Sequence, residues 1–179
     1  MAFRLKQKHS ENLDKAGRPV DGQALIDAQS LLHAFLAALI VILLLNMFWA
    51  YSAHFLNRVF PWFVLVQAAF VGLAVRRWGR GFDWRFPALA AVMAFLGSYT
   101  GNFLLAADTT AGEFGTNPIF VITRMSEYTL KVFFEEVVTP VDHIYALYAA
   151  GISAYFASRQ LTRGQEFAVR TAGKKDNNE

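Results

Sequence analysis

Four histidines, at positions 9, 33, 54 and 143, are the strongest neutral metal ligands in a 179-residue chain that has no cysteine. Without thiols there can be no disulfide framework, no Cys-ligated zinc, no Fe–S cluster and no thiolate nucleophile, so His, Asp and Glu alone would have to hold a metal. His54 and His143 fall toward the same end of the apolar segments that carry them, a placement open to a bis-imidazole haem or a two-His metal site. His33 stands alone toward the opposite end, so ligands for a second haem are missing; neither metal nor cofactor is expected. HExxH, GxxxxGK[ST] and GxSxG are all absent, as is any pair of aspartates inside an apolar segment. The signatures of hydrolases and nucleotide-driven pumps are therefore lacking, and the chain is expected to be non-enzymatic.

A second group of residues suits binding better than catalysis. Gln67 and Ser98 lie near the middle of their apolar segments; Asn46, Thr100, Asn102, His143 and Tyr145 lie in one outer half when position is converted to depth at ~1.5 Å per helical residue. Two readings of this polar layer stand side by side. It supplies interhelical hydrogen bonds, each worth ~0.6 kcal/mol on average, or it lines a shallow outward-facing cavity for a lipid, quinone or small solute.

The elements that must position these residues are membrane spans. The composition is 55% apolar and only 17% charged, against ~25% charged in an ordinary soluble domain. Four segments approach the ~20 apolar residues a spanning helix needs: 31–53, 59–75, 86–107 and 140–158. Their interiors hold no Asp, Glu, Lys or Arg, the groups that ion- and proton-coupled transporters keep near the midplane. Pro61 and Pro87 sit in first turns, where a missing N–H is harmless, and Thr139-Pro140-Val141-Asp142 reads as an N-cap, a first-turn proline and an acid facing the helix dipole. The predicted fold is all-α: a polytopic bundle of four transmembrane helices plus one amphipathic helix on the outer, periplasmic side.

Charge sets the orientation. Arg4, Lys6, Lys8, Lys15 and Arg18 precede the first span; Arg76, Arg77, Arg80 and Arg85 lie in the second connection; Arg159, Arg163, Arg170, Lys174 and Lys175 follow the last span. Those fourteen face eight acids, and the opposite side holds only Arg58, Arg124 and Lys131 beside Asp108, Glu113, Glu127, Glu135, Glu136 and Asp142. Basic residues flanking spans stay in the cytoplasm, so a multi-pass protein of a bacterial inner membrane with cytoplasmic N- and C-termini is expected. The net charge of +3 then reports orientation. Trp49 and Trp62 flank the first connection and Trp78 and Trp84 the second, as an interfacial belt requires.

Outside the spans, residues 1–29 read as a polar tail with a helical end capped by Asp21, and no cleaved signal peptide is expected. Residues 159–179 read as a basic tail, flexible from Lys174 onward. Between them, Asn117-Pro118 opens an amphipathic helix over 118–138. In it Arg124, Glu127, Lys131 and Glu135 form one charged stripe, with Glu127–Lys131 and Lys131–Glu135 pairs, and Val121, Ile122, Met125, Val132 and Phe133 lie mainly on the other side. It is expected to lie on the outer membrane surface or over the mouth of the bundle; a fifth span would place four charges in lipid at ~2.5–3.5 kcal/mol each.

Small residues mark the packing faces. Gly97 and Gly101 form a GxxxG, Ala68 and Gly72 a small-xxx-small pair, and Ala149, Ser153 and Ala157 a stripe at four-residue spacing. Such faces let backbones approach within one chain or between subunits. The loop from Arg76 to Arg85 alternates bases with aromatic rings; against a bilayer Arg76, Arg77, Arg80 and Arg85 bind anionic headgroups, at ~1 kcal/mol per basic residue, and no nucleic-acid partner is expected.

Two resemblances follow from these residues. Size, four-span topology and the His54/His143 pair are similar to small four-helix di-haem cytochromes of the b561 type, from which the chain departs because its second and third spans contain no His. The run Gly72-Leu73-Ala74-Val75-Arg76, then Gly79-Arg80-Gly81, the Gly97/Gly101 span and a last span leading into a basic tail from Ala150 to Arg163 resemble small uncharacterised bacterial four-helix inner-membrane proteins over about half the chain. That resemblance implies a four-helix membrane protein and supplies no catalytic residue. The leading expectation is an accessory or scaffold subunit that packs against a larger membrane complex, or against its own copies, through its small-residue faces and outer helix. The alternative is a small lipid-, quinone- or solute-binding or transport protein using the outer-half polar layer, and the third a b-type haem electron carrier.

Overall fold

A computed structural model describes residues 20–132, 135 and 138–176, in which every regular element is an α-helix. The basic residues up to Arg18 lie outside this range. In chain order the helices are α1 (Gly22–Asp27), α2 (Leu31–Leu56), α3 (Phe63–Gly79), α4 (Arg85–Glu113), α5 (Pro118–Arg124), α6 (Glu127–Val132), α7 (Pro140–Ala157) and α8 (Arg163–Asp176).

Local chemistry accounts for most boundaries. The Asp21 carboxylate accepts from the Gln23 and Ala24 amides at 2.9 and 3.3 Å, capping α1 as its sequence requires. Ser30 caps α2 through the His33 amide. Thr139 and Asp142 form a full capping box at the start of α7, with Pro140 in the first turn. At the far ends of α2 and α3 the chain reverses through left-handed Asn57 (φ 51°) and Arg80 (φ 52°).

Two of these helices are long and apolar enough to cross a membrane: α2, with mean hydropathy 2.6 over its most apolar 18 residues, and α4, with 1.5. The others at expected span positions are α3, of 17 residues, and α7, of 18. α3 runs from Phe63 to Gly79 where a span over 59–75 was expected, because the Phe60–Trp62 turn delays its start and Arg76 and Arg77, good helix formers, continue it to the left-handed stop. α4 runs six residues past Ala107, since Asp108 ends the apolar run without ending the helix.

α3 and α4 touch each other, and each packs on both α2 and α7, which leaves α2 and α7 at the far corners of the bundle. The seams are alanine-rich: Ala34, Ala38, Ala68, Ala90, Ala94, Ala149 and Ala157 are buried, with Ile42, Trp49, Val71 and Val75 filling between them. Outward, α2 presents Leu32, Leu36, Ile40, Leu44 and Met47, and only 22% of its most apolar window is buried.

Two expectations are corrected. The outer amphipathic helix is not continuous over 118–138: it breaks at Met125, whose backbone is extended (ψ 128°), and restarts behind Ser126, whose hydroxyl accepts from the Thr129 amide. Ser126 competes as an N-cap with the helix it interrupts, a role that favours serine at ends over interiors. The Lys131–Glu135 pair survives at 3.8 Å; the Glu127 side chain and Phe133 lie outside the described residues. The basic tail expected to be flexible from Lys174 onward is helical through Asp176: α8 runs over Arg163–Asp176 and packs on α1. Its start carries a reciprocal cap, Thr162 with Gln165, and a Glu166–Arg170 pair at 2.6 Å. Gly22 meets α8 so closely that a Cβ there would stand 2.2 Å from the Ala168 carbonyl oxygen.

Candidate functional sites

The expected polar layer divides in two. Its inner part gathers on the bundle axis: Asn46 on α2, Gln67 on α3, and Ser98 on α4 are each at most 4% exposed, joined among buried polar groups by Ser153 of α7. Asn46 Nδ2 donates to the Gly97 carbonyl at 3.2 Å and to Thr100 Oγ1 at 3.1 Å, tying α2 to α4. A Cβ on Gly97 would fall 3.2 Å from Gln67 Nε2, and one on Gly101 2.7 Å from Asn46 Oδ1 and 2.9 Å from the Trp49 ring. The GxxxG therefore makes room for polar and aromatic side chains of the same chain. Among the described residues Gln67 has neither amide oxygen nor nitrogen hydrogen-bonded, and Asn46 Oδ1, Trp49 Nε1 and Ser153 Oγ are likewise without partners there.

The outer part is spent on structure. Asn102 Nδ2 donates to Asp142 Oδ1 at 3.3 Å, and the other Asp142 oxygen accepts from the Thr139 amide and hydroxyl in the α7 cap. The Tyr99 hydroxyl meets His143 Nδ1 in a second α4–α7 link. Tyr145 is half-buried on α7. Asn102, Asp142, Tyr99 and His143 staple two helices at these ends, and none of them lines the hollow found at this end between α2 and α4. That hollow, of about 650 Å³, lies between α2 and α4 and is lined by His54, Arg58, Asp108, Thr109 and Glu113, with His54 Nδ1 3.3 Å from Asp108 Oδ2. His54 on α2 and His143 on α7 occupy the far corners of the bundle and engage different partners, so the two haem candidates do not come together. Among the described residues no group of three or more His, Asp or Glu is placed to hold a metal ion.

The small-residue faces are occupied within the chain. Ala68, Gly72, Gly97, Gly101, Ala149, Ser153 and Ala157 are all buried, and a Cβ on Gly72 would stand 2.4 Å from the Ser153 carbonyl oxygen. They bring α3 onto α7 and α4 onto α2.

At the opposite end of the bundle the arginines do converge. Arg76, Arg77 and Arg80, from the end of α3, line an open groove of about 670 Å³ together with Arg159, just beyond α7, and with Trp78, Phe70, Leu73, Ala74 and Val41. The sequence assigns Arg159 only to a basic tail; its Nη1 donates to the Arg80 carbonyl at 2.9 Å, which holds it at the groove. Arg85, expected with the others, begins α4 and does not line it. The inner helix ends meet here as well: the Ser30 amide donates to the Gly79 carbonyl at 3.0 Å, and the Phe82 amide to Gln29 Oε1 at 3.3 Å.

The chain matches no family model, and no curated protein or solved structure is similar to it.

Proposed function

We propose that this is an integral membrane protein in which α2, α3, α4 and α7 each cross a bacterial inner membrane, and that it works without catalysis as an accessory or scaffold subunit of a larger membrane assembly. The observation that carries the topology is the packing of α1 on α8. One precedes the first proposed span and the other follows the last, and two elements in contact lie on one side of a bilayer only if the number of crossings between them is even. The arginines of the α3–α4 connection and Arg159 lie at that same end, the cytoplasmic side by the distribution of positive charge. α3 and α7 are short, ~26 and ~27 Å at 1.5 Å per residue against a ~30 Å core; local thinning or snorkelling of the flanking arginines accommodates the difference.

The accessory role is supported by how the polar groups are used: Thr100, Asn102 and His143 of the outer layer bond to other helices of this chain. Because the small-residue faces are buried internally, contact with a partner falls instead to the lipid-facing flank of α2 and to the α5–α6 pair, where Ile119, Phe120 and Leu130 are exposed. The ligand-binding alternative passes from the polar layer to the outer hollow beside His54 and Asp108.

The absence of cysteine makes topology directly testable. With a membrane-impermeant maleimide, Thr116→Cys is expected to react on intact cells and Asp83→Cys only after lysis; equal reaction of both on intact cells sinks the four-span arrangement. Native mass spectrometry from membrane nanodiscs is expected to show a species heavier than one 20.1 kDa chain by at least one further polypeptide. A solitary chain carrying only a small-molecule adduct would overturn the accessory reading in favour of ligand binding.

A further inference from the structure

We propose that the groove between the inner ends of α2, α3 and α7 is a specific site for one anionic phospholipid, its phosphate among Arg76, Arg77, Arg80 and Arg159 and an acyl chain along Val41, Leu73 and Phe70. This rests on the membrane reading above and deepens it.

Charge is the first argument. Four arginines line one groove, and among the described residues no carboxylate lies within ion-pairing distance of any of them. Asp27 lines a neighbouring hollow beside Arg77 and Arg80, and the C-terminal ends of α3 and α7 contribute at most about half a negative charge each, so about two of the four positive charges remain uncompensated. A phosphate diester meets that requirement in one group, and the planar guanidinium fork matches its oxygens in pairs.

Shape is the second. From Arg76 to Phe70 the groove climbs six residues of α3, ~9 Å at 1.5 Å per residue, passing from headgroup level into the depth of the hydrocarbon. Its upper walls are Val41, Phe70, Leu73 and Ala74, all apolar, whereas a free phosphate or an acidic peptide would use only the charged mouth. Trp78 stands at the boundary, where indole rings settle in bilayers.

The backbone adds a third. Arg80 is held in the left-handed region at φ 52°, where glycine is the comfortable residue and other side chains cost ~1–2 kcal/mol. Its carbonyl faces Arg159, and the pair joins the two helix ends across the groove mouth.

The test uses the full-length protein in nanodiscs of equimolar phosphatidylglycerol and phosphatidylcholine, with bound lipid counted by native mass spectrometry after delipidation. Wild type is expected to retain phosphatidylglycerol over phosphatidylcholine by at least about tenfold. Arg80→Gly, which relieves the left-handed strain and so does not threaten folding, and Arg159→Gln should each lower that preference ~5-fold. Leu73→Trp, filling the apolar wall with all four arginines intact, should abolish retention, and Arg85→Gln, outside the groove, should leave it unchanged. Equal retention of the two lipids by wild type, or full retention by Leu73→Trp, overturns the proposal. So does displacement of the lipid by millimolar inorganic phosphate or by an acidic peptide. Failure of the membrane reading would look different: the wild-type protein would be stripped from membranes by alkaline carbonate before any lipid was counted.

Discussion

Gly72→Ala is expected to lower the thermal midpoint by about 5–10 °C, a large loss for a single added methyl. The new Cβ would stand 2.4 Å from the Ser153 carbonyl oxygen and 2.8 Å from Phe156 Cβ. A backbone carbonyl cannot rotate away as a side-chain tip can, so α3 and α7 must separate along a seam where Ala149, Ser153 and Ala157 are closed. Overpacking of this kind costs ~1–3 kcal/mol, and rigid backbone on one side places this site at the upper end; each kcal/mol moves the midpoint of a chain this size by ~2–4 °C. Gly151→Ala supplies the opposite sign. It lies on α7, across the seam from Gly72, with nothing among the described residues within 4 Å of its added Cβ, so only helix propensity acts, and a gain of ~0.5–1 kcal/mol follows. Differential scanning fluorimetry in one detergent compares both variants. Equal midpoints for the two would mean that α3 and α7 do not meet at Gly72.

Gln67→Met is expected to stabilise the bundle. The Gln67 amide is 2% exposed and neither of its polar atoms has a hydrogen-bond partner. An unsatisfied buried polar group costs ~1–3 kcal/mol, and methionine is unbranched, similar in volume and able to fill the same irregular space beside Ile42 and Gly97. A rise of several degrees in thermal midpoint is the expected result. A fall would show that the amide holds something in the native protein, an ordered water or a polar ligand on the bundle axis, and would return the inner polar cluster to the candidate binding sites. Asn46 contrasts with it. Two of its donor contacts are made, so Asn46→Leu removes real bonds and should not stabilise.

What was legible in the sequence was legible because it is local or one-dimensional. Apolar runs placed α2, α3, α4 and α7, of which α2 and α4 are long and apolar enough to cross a membrane, and Asp21, Asn117 and Thr139–Asp142 marked helix starts through bonds that reach no more than three residues. The same local logic was present at Thr162–Gln165 and at Ser126, where a net basic charge and a helical stripe of charges masked it; α8 and the break after α5 went unread for that reason. The helix ends at Gly79 and Glu113 lie beyond the expected bounds because a hydropathy run stops at the first charge, whereas a helix stops where its backbone hydrogen bonds do.

By itself the sequence determined an all-helical, apolar, cysteine-free chain whose positive charge concentrates around one set of helix ends, and it identified the residues small enough to let helices touch. Only the tertiary structure decided what those residues touch. Gly72, Gly97 and Gly101 face side chains and backbone of their own chain, Asn102 and His143 are spent as staples, His54 and His143 stand at opposite corners, and Arg159 leaves the tail to join three arginines eighty residues earlier. The physical reason is that periodicity fixes which face of a helix a residue shares, while the partner of that face depends on how four helices are arranged around one another. That arrangement is set by summed close packing across long-range seams, which no window of the sequence contains.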